Sequence, residues 1–143
     1  MIYNYGEGSG KDITFDPEKS LSLEGDSGPY VQYAHTRALS ILRKAETEGV
    51  VPAATLLPSA VTDVERLLYR FPEVVARAQR EYEPHHVTSY VTELAATFNA
   101  WYAQEKILDG TDAAAYKLAL VQAVATTLNN GLYLLGISAP ERM

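Results

Sequence analysis

From residue 29 onward the apolar positions of this chain recur at steps of three and four, the spacing of amphipathic helices. The first run follows Asp26-Ser27-Gly28-Pro29. Asp26 and Ser27 can accept hydrogen bonds from the first free amides of a helix, and Pro29 suits a first turn where its missing N–H has no partner to lose. Val31, Ala34, Ala38, Ile41, Leu42 and Ala45 then share one face, and the helix is expected to end near Gly49. Residues 50–59 carry Pro52 and Pro58 and read as a loop. Thr62 opens a second helix, with Glu65 placed to complete a capping box. Its apolar face is Val64, Leu67, Leu68, Phe71, Val75, Ala78 and Tyr82, and Pro72 is expected to kink or split it. Pro84 precedes a third helix marked by Val87, Val91, Leu94, Phe98 and Tyr102, which Asp109-Gly110 should break. Thr111 is expected to cap a fourth helix, in which Leu118, Val121, Ala125, Leu128, Leu132 and Leu135 recur most regularly. Gly131 is expected to interrupt or bend it, and Gly136 to end it.

No period-two strand and no internal repeat follows Gly28. The pattern therefore predicts an all-α fold, an antiparallel helical bundle of four to five helices over 29–143, five if Pro72 divides the second. Ahead of it, Ile13-Thr14-Phe15 alternates briefly before a turn at Asp16-Pro17, so 11–28 is expected to be a short extended segment packed on something larger. The glycine-rich stretch 1–10 reads as a flexible lead or an expression junction.

At 143 residues and 47% hydrophobic content the chain suits one domain with a single core. No uninterrupted apolar run reaches the roughly 18 residues of a membrane span, and the N-terminus lacks the basic-then-apolar order of a secretory signal. The absence of cysteine excludes disulfides and thiolate metal sites and fits a reducing, cytoplasmic setting. A net charge of −6 argues against nucleic acid as a default partner, because non-specific affinity comes mainly from neutralising phosphates.

The first helix departs from that balance, with no acidic residue between Pro29 and Ala45. Tyr30, Tyr33, Arg37, Ser40 and Lys44 form a stripe beside its apolar face. Rings for stacking and guanidinium groups for phosphate are what an unpaired nucleotide needs. Half-buried tyrosines with their hydroxyls in water would show the same pattern, and so would an edge that docks another protein, which makes a protein-interaction module the alternative. Three chemical motifs fail on spacing. Gly6 to Lys11 resembles a phosphate loop, but Tyr5 stands where glycine is required and Asp12 where Ser or Thr is. Gly25-Asp26-Ser27-Gly28-Pro29 is similar to a serine-protease nucleophile motif, yet it lacks a glycine and every histidine follows the serine. His85-His86 is an adjacent pair whose rings point apart on a helix, which suits a helix N-terminus better than a metal.

The run from Phe15-Asp16-Pro17 through Gly-Pro-Tyr-Val-Gln-Tyr-Ala-His-Thr-Arg, together with Leu134-Leu135-Gly136-Ile137 and Pro140-Glu141-Arg142-Met143, resembles arginyl-tRNA synthetases over roughly Lys11 to Met143. The resembling part is their C-terminal, DALR-type anticodon-binding domain. The resemblance implies a partner tRNA for arginine and a catalytic domain in the same parent chain, a class I arginine–tRNA ligase that uses ATP with magnesium. It also implies that this stretch binds without catalysing, since the His-x-Gly-His-like and Lys-Met-Ser-Lys-Ser-like motifs are absent from it. The positions matching the family's anticodon contacts are Tyr30, Tyr33, Arg37 and Arg43 of the first helix, Tyr102 of the third, and Met143 at a C-terminus that folds back. Glu141 is expected to orient that turn. Some relatives carry an aromatic ring near Lys106. Arg43 lies off the tyrosine stripe of an ideal helix and is expected to face a different part of the RNA.

Overall fold

The computed structural model describes residues 12, 14, 16–18, 27–54 and 60–143. Among these the regular structure is four helices: α1 (Gly28–Thr47), α2 (Asp63–Glu81), α3 (His85–Gln104) and α4 (Ala113–Leu134). The all-α bundle is therefore present. The lead 1–10 and most of the 11–28 segment lie outside the described residues. Within that segment Pro17 and Glu18 are helical where an extended run was expected, because Asp16 Oδ1 accepts from Glu18 N–H at 3.0 Å as a helix-start cap does.

Caps account for where the first two helices start. Ser27 Oγ accepts from Tyr30 N–H at 3.2 Å, and Thr62 with Glu65 forms the full capping box. Glu65 also accepts from Tyr116 OH, joining α2 to α4. That bond, followed by burial, pushes the Tyr116 hydroxyl up to about 12. Pro72 neither splits nor ends α2, which runs unbroken through it. Pro72 itself lies on the exposed side of the helix. The far end of α2 also differs from expectation: Val74 rather than Val75 packs on the core, and Tyr82 is exposed. Tyr82 takes the left-handed conformation (φ 55°) that stops the helix, while Glu83 N–H donates back to Ala78 O at 3.0 Å.

α3 and α4 form the centre, each packed against the other and against α1 and α2. Phe98, Leu94, Leu118, Leu128 and Leu132 are fully buried there, each worth about 2 kcal/mol of apolar burial. Trp101 packs half-buried against this core. α3 ends at Gln104, ahead of Asp109-Gly110, because Ile107 is buried and draws the connecting loop inward. Thr111 does not cap α4. Its hydroxyl and N–H both donate to Asp109 Oδ1 (2.6 and 2.9 Å), and the helix begins at Ala113 behind Asp112. Gly131 leaves α4 uninterrupted, and its missing side chain admits Val91 of α3. Gly136 (φ 70°) ends the helical path, with Ile137 N–H donating to Leu132 O at 2.9 Å, and turns the last residues toward α1.

Candidate functional site

All of Val31, Ala34, Ala38, Ile41 and Ala45 are buried, which rotates the Tyr33, Arg37 and Arg43 side of α1 outward. Arg37 is fixed from three directions. Its Nη1 donates to Asn99 Oδ1 of α3 at 2.7 Å and its Nη2 to Tyr33 OH at 2.9 Å. Its guanidinium carbon lies 4.6 Å from the Tyr33 ring centroid and 5.4 Å from that of Tyr102. The two rings and the cation between them form one layered unit bridging α1 and α3.

Beside this unit is a hollow of about 410 Å³, lined by Tyr33, Thr36, Arg37, Ser40 and Arg43 of α1 and by Arg142 and Met143 of the tail. The tail reaches it because side chains of α1 hold three of its carbonyls, those of residues 138, 140 and 141. Gln32 Nε2 donates to Ser138 O at 2.8 Å. His35 Nδ1 lies 3.1 Å from Pro140 O. Arg43 Nη1 and Nη2 both donate to Glu141 O at 3.3 Å. Burial lowers the His35 pKa and the Pro140 carbonyl opposes that shift only in part, so the ring is neutral at pH 7. A carbonyl can only accept, so the proton of that neutral ring sits on Nδ1.

A second hollow of about 380 Å³ opens past Tyr102, between Ile41 and Lys44 of α1 and the loop holding Lys106, Ile107 and Leu108. It carries mixed charge, Lys44 and Lys106 against the Glu105 carboxylate, which is itself paired with Lys117 at 3.0 Å.

The structure thus gathers Tyr33, Arg37, Arg43 and Met143 around one hollow and sets Tyr102 at its margin through Arg37. Arg43 does not face elsewhere: its long side chain swings to Ser40 Oγ (3.1 Å) and the tail, joining the same wall as Tyr33. Tyr30 stands apart, half-buried against the core and lining neither hollow. Glu141 turns the tail through its backbone oxygen, in keeping with an orienting role. Asn99, Gln32 and His35 hold the site together, and the sequence pattern did not single them out. One signal was present for His35, which stands at a core position of the Val31, Ala34, Ala38 face.

The His85 and His86 rings do not point apart but lie with centroids 4.1 Å apart, drawn together by separate carboxylates: His85 Nδ1 lies 3.0 Å from Glu83 Oε2 and His86 Nε2 2.6 Å from Glu81 Oε2. Among the described residues no group of three or more metal-ligating side chains occurs, and no helix is long and apolar enough to cross a membrane.

Residues 31–143 match the family model of the DALR anticodon binding domain. The chain is 45% identical over 130 residues to an arginine–tRNA ligase of Latilactobacillus sakei, covering 90% of this chain and 23% of that protein. Among solved structures, a Thermus thermophilus arginyl-tRNA synthetase superposes with a TM-score of 0.76 at 41% identity, over 93% of this chain and 24% of that one. A putative arginyl-tRNA synthetase of Campylobacter jejuni shares the fold with a TM-score of 0.82 at 24% identity, over 99% of this chain and 32% of that one. The chain thus spans about a quarter of the length of these arginine–tRNA ligase relatives.

Proposed function

Because this chain belongs to the DALR anticodon binding domain family, we propose that it recognises the anticodon loop of a tRNA for arginine, as the non-catalytic part of a longer cytoplasmic arginine–tRNA ligase. The observation that carries this reading is the Tyr33–Arg37–Tyr102 layer standing over a hollow rimmed by Arg43, Arg142 and Met143. An unstacked base lies against an exposed ring face or the Met143 thioether, and the guanidinium groups meet phosphates or base edges. Tyr30, one turn earlier on α1, supports that edge from beside the core. ATP and its magnesium would be handled in the parent's catalytic domain, where amino-acid activation takes place.

Base–ring stacking contributes about 1–3 kcal/mol per base. Set against the repulsion of a chain carrying −6 overall, this gives an isolated domain affinity of roughly micromolar or weaker. In the intact ligase, correct docking of the loop would favour presentation of the acceptor end to the catalytic domain.

Fluorescence anisotropy with an arginine anticodon stem-loop, against the same stem carrying a scrambled loop, tests the reading. The arginine loop is expected to bind at least about tenfold more tightly, and Tyr33→Ala or Arg37→Ala to remove most of that preference. Equal affinity for both loops would refute it.

A further inference from the structure

We propose that His35 is a positioning residue that fixes the RNA-contacting conformation of the C-terminal tail, closing one wall of the hollow with Arg142 and Met143. The proposal rests on the anticodon reading of that hollow and adds what assembles it.

At about 100° per residue, Gln32, His35 and Arg43 fall within an arc of roughly 80° on α1, and they meet tail carbonyls 138, 140 and 141 in the same order. The tail therefore runs in the direction of α1, with its final two residues delivered to the hollow beside Ser40. The three contacts are not equivalent. The Gln32 and Arg43 bonds lie in solvent, where water replaces them at little cost, whereas the His35 ring is buried. Removing the Nδ1–H leaves the Pro140 carbonyl without its donor at the one point where water has least access. Pro140 has no N–H of its own, so its carbonyl is the only backbone group it can offer to the helix.

The neutral ring fits this role. With Nδ1 donating to Pro140 O, the preserved feature is a single N–H at a fixed place, which asparagine can reproduce and leucine cannot. The tail is the part of the hollow that lies outside any helix, so its placement decides whether the Met143 side chain faces a base.

Three chains test this: His35→Leu, His35→Asn, and the chain ending at Ile137, each checked for an unchanged helical melt. Heteronuclear 15N NOE values at Arg142 and Met143 report tail order in the free protein, and anisotropy with the arginine anticodon stem-loop reports binding. The expectation is that His35→Leu loosens the tail and weakens binding about tenfold, that His35→Asn restores most of both, and that ending the chain at Ile137 costs as much as His35→Leu. Combining His35→Leu with the shorter chain should add nothing, which a general packing defect would not reproduce. Wild-type tail order or wild-type binding in His35→Leu overturns the proposal. If that variant does not fold, full binding by the chain ending at Ile137 overturns it instead. A wild-type chain without preference for the arginine loop removes the anticodon reading, and the NOE values then decide separately whether His35 holds the tail.

Discussion

Arg37 illustrates how a single side chain acquires its role from partners distant in sequence. Its pairing with Tyr33, four residues away, was legible as helical spacing, but Asn99, which holds its other arm, is 62 positions downstream. No local pattern marks such a partner. Asn99→Ala is expected to leave the melting temperature nearly unchanged while weakening stem-loop binding about fivefold, because the guanidinium then loses the bond that keeps it between the two rings. Arg37→Lys should do at least as much harm, since an ammonium cannot lie flat against both rings and donate in two directions. His35 offers a separate test through stability. Its folded-state pKa is depressed below the usual 6.5, so below that pH the unfolded chain takes up a proton that the folded chain resists. Stability should therefore be full above about pH 7 and fall as pH drops below 6.5, ahead of the range where carboxylates titrate. Denaturant melts at pH 7.5 and 5.5 should show a smaller loss for His35→Asn than for wild type.

Among the elements, α4 shows where propensity and packing disagree. Alanine at position 131 would favour a helix by about 1 kcal/mol over glycine, but an added Cβ there would lie 2.3 Å from Val91 Cγ1. Val91 is completely buried and β-branched, with restricted freedom to turn aside. Gly131→Ala is thus expected to destabilise the fold by about 1–3 kcal/mol despite better helix propensity. With Val91→Ala added, thermal melts should show the pair costing less than the two single changes together. The same contact explains why an interior glycine misled the reading of this helix: the sequence shows a weak helix residue, and only the approach of α3 gives the reason. Elsewhere the periodic core positions of α1, α3 and α4 were legible because burial repeats with the helix turn. Helix ends were legible where a side chain caps them, at Ser27 and Thr62, or where glycine turns the chain, at Gly136. They were not legible at Tyr82, where a non-glycine residue adopts the left-handed conformation, or at Asp109, whose carboxylate holds Thr111 in the loop and is itself tied to Lys117 of α4. Tyr82→Gly should raise the melting temperature by a few degrees, since it relieves that conformation at an exposed position.

For the molecule as a whole, the unusual feature is a cationic, ring-bearing edge on an acidic body. If phosphate neutralisation drove binding, affinity would fall steeply with salt, by about 0.7 in log K per log salt for each single-stranded phosphate engaged. The hollow presents Arg43 and Arg142 at its rim, and Arg37 is already shared between Asn99 and two rings. Two or three phosphates are the most this arrangement can meet, so the slope should lie near −1.4 to −2, with stacking supplying the salt-insensitive remainder. A titration of the arginine stem-loop between 50 and 300 mM salt, roughly the range over which such slopes are read, measures it directly. A slope steeper than about −4 would mean that the loop is held by charge distributed well beyond the hollow. That outcome would move the binding surface toward Lys44 and Lys106 and the second hollow past Tyr102. A shallow slope combined with loop preference would place selectivity in the layered rings. It would also explain how a chain of this net charge, about a quarter of the length of the ligases it resembles, can contribute discrimination while leaving most of the affinity for RNA to the rest of the proposed longer ligase.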